Sequence, residues 1–168
     1  MSIAGAKLSH IVIRSLYNVL HWYHSNKNVP SSQKIINLFN LWKDLHAISI
    51  NISEKGWESL RSLANSLSIS LRNRDEEWLF LFSVETYLSL AIRLIALSKI
   101  GSAPQDINSY IRNIESNRNI FSYTAFEWVH EAVNDQLLDP ELSKDLRDSL
   151  NTMIKVIYNL NLLQVSFD

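Results

Sequence analysis

The sequence predicts an all-α protein, an irregular bundle of six or seven helices around a central apolar helix at about 76–100. Three observations carry this. Only three glycines and three prolines interrupt 168 residues, and apolar residues recur mostly at spacings of three and four. The third is the stretch "FLFSVETYLSLAIRLIALSKIG" at 80–101. Its length matches a bilayer core, since about 20 apolar residues rise roughly 1.5 Å each. Glu85 and Arg93 argue against lipid, because each costs roughly 2.5–3.5 kcal/mol at mid-bilayer. On a helical wheel Glu85, Thr86, Ser89 and Arg93 form one polar stripe. Leu81, Val84, Tyr87, Leu88, Leu90, Ala91, Ile92, Leu94, Ile95 and Leu97 fill most of the remaining circumference. That is the pattern of a helix nearly surrounded by other helices.

The elements follow in order. A first helix is expected over 8–24, where Ile11, Leu16, Val19, Leu20 and Tyr23 share a face. Pro30 and Ser31 start a second, through Ile35, Ile36, Phe39, Trp42 and Leu45,. In "HAISINISEKGW", Ile48, Ile50 and Ile52 alternate with Ser49 and Asn51. A short strand fits that alternation, but without a partner strand in view an extended connector is the reading. Ser53 caps a third helix to about Leu71, carrying Trp57, Leu60, Leu63, Ala64 and Leu67. After the turn "RNRDEE", Asp75 is the expected cap of the central helix. Glu76 and Glu77 then fall in its first turn, where the helix dipole favours acids. Gly101 supplies the left-handed residue that closes it. Ser102 as cap, Pro104 in the first turn and Gln105 completing a capping box restart a helix. "NIFSYTAFEWVHEAVNDQLL" follows, with Phe121, Phe126, Trp128 and Val129 as its apolar positions. Asp139 and Pro140 begin the last helix, with Leu142, Leu146, Leu150, Ile154, Ile157, Leu160 and Leu163 at its core spacings.

The size fits a single domain over 1–168, able to bury roughly two-thirds of its unfolded surface. Hydrophobic residues make up 46% and charged residues 20%, which points away from disordered and fibrous classes. The absence of cysteine excludes disulfides, thiol catalysis and cysteine-ligated zinc. Ser9, His10 and Arg14 break the apolar run a secretory signal needs, so a soluble cytoplasmic protein is expected. The net charge of −1 hides a split. Residues 1–74 carry nine Lys and Arg against three acids, +6, whereas residues 75–168 carry seven against fourteen, −7. Such a split fits a surface that faces a polyanion, or two halves that attract each other across a bundle interface.

Candidate chemistry is sparse. His21 and His24 lie three apart on one helix, and Glu127 and His130 form a Glu-x-x-His pair. Di-iron bundles need two such pairs plus further glutamates, and zinc needs a third ligand, so no metal site is assigned. Glu76/Glu77 and Glu127/Glu131 read as solvated helix faces rather than acid–base pairs. Gly5, Gly56 and Gly101 are isolated, so there is no phosphate loop. No catalytic or cofactor-binding residue is assigned. The five tryptophans read as core and edge packing. Lys55, Arg61, Arg72 and Arg74, on the third helix and the turn after it, are the candidate DNA-phosphate contacts.

"ETYLSLAIRLIALSKIG", followed about twenty residues later by "NIFSYTAFEWVHEAV", resembles the helical N-terminal region of DNA N6-adenine methyltransferases, including those of restriction-modification enzymes. The resemblance covers roughly residues 78–168, with "LNLLQVSFD" resembling the run-in to the methyltransferase core. It implies a noncatalytic domain that positions that core on DNA or a partner subunit, with S-adenosylmethionine bound by the parent enzyme. The family's Pro-Pro tetrapeptide and glycine-rich cofactor loop have no counterpart here, since none of Pro30, Pro104 and Pro140 precedes another proline. A stand-alone helical protein–protein interaction module is the alternative expectation.

Overall fold

The computed structural model describes residues 3–165, with side chains from 7 to 160. These residues form seven α-helices and no strand. In chain order they are α1 (Ile3–Ser25), α2 (Pro30–Ser49), α3 (Glu54–Ser66), α4 (Arg74–Lys99), α5 (Ile107–Ser116), α6 (Trp128–Asn134) and α7 (Pro140–Val165). A single 3-10 turn, Ala125–Glu127, leads into α6.

The bundle centre is shared by α1, α4 and α7 rather than held by α4 alone. α1 packs most extensively on α7 and α4. Val12, Leu16, Val19, Leu20 and Tyr23 are fully buried on one face of α1, and the Tyr17 and Phe80 rings meet edge-on at 5.9 Å. Ile11, expected on that face, is exposed, because Val12 and Ile13 one and two residues on occupy it. α7 contributes Leu146, Leu150, Met153 and Ile154; Leu160 is exposed, and the side chain of Leu163 lies outside the described residues. α2 buries Ile35, Phe39 and Trp42 but leaves Leu45 exposed, again correcting the expected face.

α4 is long and apolar enough to cross a bilayer, yet only 44% of its most apolar window is buried within the fold. Its inward face carries Leu79, Phe82, Thr86, Leu90, Leu94 and Leu97; Leu88, Ile92 and Ile95 point outward. The helix, expected to be nearly surrounded by others, is therefore open on one side. Of the polar stripe, Thr86 and Arg93 are buried, and Glu85 and Ser89 are half-buried. The Thr86 hydroxyl donates to the Phe82 carbonyl and accepts from Trp128 Nε1 at 3.0 Å. Glu85 accepts from Trp42 Nε1 at 2.9 Å and lies 2.9 Å from His46 Nε2.

Several helix ends match the sequence expectation. Ser53 Oγ accepts from Gly56 N–H, and Asp139 accepts from the N–H groups of Glu141 and Leu142. Gly101, at φ +77°, closes α4 in a Schellman arrangement, with Ser102 N–H bonded to Leu97 O and Gly101 N–H to Ser98 O,. The alternating isoleucines are partly absorbed: α2 runs on to Ser49, and only the short piece at 50–53 is extended.

Three expected boundaries move. Asn73, not Asp75, caps α4 by accepting from Glu76 N–H at 2.9 Å. Asp106, not Ser102, caps α5 through a reciprocal box with Ser109, while Asn151 of α7 accepts from Ile107 N–H and Asn113 fixes the Ser102 carbonyl. α3 stops at Ser66 rather than near Leu71. Ser68 adopts φ +60° there, and Ile69 N–H and Ser68 N–H return to Ala64 O and Asn65 O. A non-glycine residue in that left-handed position costs roughly 1–2 kcal/mol.

Candidate docking site

Beside the outward face of α4 lies the largest cleft among those described, about 670 Å³. Leu88, Ser89, Ile92 and Arg93 line one side, and Ile120, Phe121, Ser122, Thr124 and Phe126 the other. Leu88, Ile92 and Ile95 follow the four-and-three spacing of one helical face and are 50%, 67% and 44% exposed. Glu85 closes one end of the cleft and is held by Trp42 and His46 of α2.

The wall at 120–126 is an irregular segment, and a network of charges behind it explains how it stays in place. Arg93, 90% buried at its side chain, donates from Nη2 to the Ser122 carbonyl at 2.6 Å and from Nη1 to Glu127 at 3.2 Å. Arg118 reaches back to the same Glu127, at 3.0 Å from Nη1 and again from Nη2, and also bonds Glu115. Thr124 N–H donates to Glu127 at 3.1 Å. The Arg93 and Arg118 guanidiniums lie over the rings of Phe121 and Tyr123, at 5.7 and 3.8 Å. One carboxylate thus ties α4, the 117–124 loop and the start of α6 together.

The electrostatics follow from this crowding. Burial acts to raise the Glu127 carboxyl, but Arg118, the Thr124 amide and His130 outweigh it, and its pKa falls below the usual range. Burial, with Arg118 and Arg93 nearby, lowers His130 despite the attraction of Glu127. Burial pushes the Tyr110 hydroxyl up to about 12.

Glu127, His130 and Glu115 bring ligand atoms within 4.8 Å of one another, which supplies the third donor that the sequence spacing did not reveal. The Arg118 guanidinium nevertheless bonds both carboxylates and Arg93 takes a further position on Glu127. A divalent ion would have to displace two cations, so the trio functions as an anion cage around arginine.

The expected phosphate contacts lie elsewhere. Arg61 bonds Glu77 at 2.7 Å and Glu54 at 2.8 Å. Arg74 pairs with Glu77 at 2.9 Å and Glu54 at 3.3 Å, its guanidinium over the Trp57 ring at 4.2 Å. Arg72 pairs with Glu76 at 3.0 Å. Lys55 is exposed. Three of the four are therefore drawn together by carboxylates of this chain. Glu76 and Glu77, expected as a solvated face, are buried for the same reason, and so is much of Glu127. Glu131 pairs with Lys34 at 2.8 Å, while His21 lies 3.4 Å from Glu76. Of the nine basic residues in 1–74, five (Lys34, Lys43, Arg61, Arg72 and Arg74) pair with acids at or beyond position 75. The charge split of the sequence is largely an internal attraction between halves.

No family model, curated protein or solved structure matches the chain. The resemblance to adenine methyltransferase regions accordingly rests on the sequence pattern alone.

Proposed function

We propose that this chain is a noncatalytic helical docking module that takes an amphipathic helix of a partner protein in the α4 cleft. The observation that carries the reading is the row Leu88, Ile92 and Ile95. These outward residues continue into a cleft walled by Ile120, Phe121 and Phe126, on a helix whose other face is core. Contiguous exposed apolar surface of this kind marks interaction sites. Helix-in-groove recognition reads anchors at spacings of three, four and seven, which suits a cleft set along a helix. The two charges at its border, Glu85 and Arg93, already have partners, so the occupant is selected by apolar anchors rather than by charge.

Within the DNA-modifying reading, the partner would be the methyltransferase core, and S-adenosylmethionine would be held there. Direct DNA contact through Arg61, Arg72 and Arg74 has less support, because each is engaged by glutamate.

Selection of displayed amphipathic helical peptides against the purified chain tests the docking reading. Selected peptides should compete with one another and bind about tenfold or more weakly to Leu88→Asp and Ile92→Asp proteins of unchanged helicity, since each substitution places a carboxylate against an apolar anchor. Peptides indifferent to both substitutions overturn it. So does flotation of the intact chain with neutral lipid vesicles that Ile92→Asp abolishes, which would assign the same face to lipid.

A further inference from the structure

We infer that the chain has a phosphoryl-anion site between α1 and the end of α3, separate from the docking cleft. A cavity of about 270 Å³ there is lined by Lys7, His10, Ile11, Arg14, Ser66, Leu67 and Ser68. Lys7, His10 and Arg14 follow one another at spacings of three and four, so they stack on one face of α1. All three are exposed. Elsewhere in the first half most basic side chains are matched to glutamates or aspartates, but none of the described residues lining this cavity is acidic. Lys7 and Arg14 thus present two like charges to one hollow, with His10 between them, an arrangement that favours an anion.

Ser68 is the second observation. It occupies the left-handed position that ends α3, where glycine is the usual residue,. Ser68 lines the cavity while its backbone carries the strain described above, and residues kept in such conformations cluster at ligand sites. The Ser66 hydroxyl is spent on the Leu63 carbonyl, which leaves an ammonium, a guanidinium fork and the Ser68 hydroxyl, a set that suits a tetrahedral oxyanion with several acceptor oxygens.

The surroundings restrict the ligand further. On one side Arg14 also borders a cleft with Asp145 and Asp148, and on the other Ser68 borders one with Glu76. A long polyanion laid along α1 would run into these carboxylates, whereas a single phosphoryl group would not. The assignment is therefore to inorganic phosphate or a phosphate monoester rather than a nucleic-acid backbone.

Isothermal titration and thermal unfolding with inorganic phosphate, against chloride at matched ionic strength, test this in the intact chain. A duplex oligonucleotide serves as the second ligand. Phosphate should raise the melting temperature above the chloride control, and Lys7→Ala and Arg14→Ala should each weaken binding by about tenfold or more. Ser68→Gly separates the site from mere folding, because it should raise the melting temperature without phosphate yet reduce the phosphate-dependent increment. A phosphate effect equal to chloride, or one unchanged in Lys7→Ala and Arg14→Ala, overturns the site. Duplex binding tighter than phosphate and lost in the same two variants overturns the single-phosphoryl assignment.

Discussion

Replacing Glu127 by Gln removes the negative charge that Arg93 and Arg118 share while keeping the size of the side chain. The two guanidiniums are 10% and 18% exposed at their side chains, and Glu127 is 12% exposed. Water therefore screens the resulting repulsion poorly. An amide oxygen can still accept one bond, from Arg118 or from Thr124 N–H, but not the whole set. Breaking a buried pair by removing one partner costs about 3–5 kcal/mol. Partial retention of hydrogen bonds places this variant near the lower end, about 3 kcal/mol, against a total stability of roughly 5–15 kcal/mol. For a domain of this size the melting temperature should fall by roughly 6–12 °C. Urea unfolding followed by circular dichroism, with the slope unchanged, reads the loss directly. Amide exchange at 120–126 should accelerate in the same variant, because Glu127 pins that wall through Arg93 and Thr124. A loss below about 1 kcal/mol would refute the claim that the network is shielded and shared, since that is the range of exposed pairs.

Other consequences are equally open to measurement. Burial holds the folded pKa of His130 below its ordinary value. Its contribution to stability is thus complete above about pH 6.5 and is lost as pH falls from there toward the folded value. The melting temperature should begin to drop near that pH, and His130→Phe should flatten the drop; equal slopes in both proteins would contradict it. Glu127, also lowered, contributes above the ordinary carboxylate value, and that contribution is lost as pH falls through its folded value, so a second decline belongs to more acid conditions. Asn73→Ala should cost about 1 kcal/mol through loss of the α4 cap, while Asp75→Ala, on an exposed side chain paired with Lys43 at 3.4 Å, should stay within about 0.5 kcal/mol; chemical denaturation of both variants compares them. Trp128→Phe deletes the bond to Thr86 and leaves a small void in the core, for an expected loss of about 1–3 kcal/mol in the same assay.

Helix count and class were legible because the 3.6-residue period and the scarcity of Gly and Pro are local signals that nothing else in this chain contradicts. Caps were legible where one candidate stood alone, as at Ser53, Gly101 and Asp139. They were not where two competed. Ser102 and Asp106 both satisfy a capping rule, and only the side chains of Asn113 and Asn151, distant in sequence or brought in by α7, select between them. Glu76 and Glu77 look like ordinary first-turn acids until α3 and the turn bring Arg61, Arg72 and Arg74 against them. At the candidate docking site, Arg93 was visible as a charge inside an apolar run, and the Glu127–His130 spacing was visible too. Their union through Arg118 was hidden, because it depends on a loop with no periodicity that folds back over nine residues. The open side of α4 was hidden for a related reason. Periodicity reports which side chains are apolar, whereas coverage depends on how many neighbours the topology supplies.

The packing of α1 on α7 sets a timetable for biosynthesis. As the polypeptide is made, Val12, Leu16, Val19 and Leu20 emerge ahead of both their packing partners, meet α4 first, and wait for the other side of their enclosure until the residues from Pro140 onward have been added. At about 5–20 residues per second that delay is on the order of ten seconds. During it a greasy ridge stays uncovered on the nascent chain, at the stage when chaperones have the most to bind.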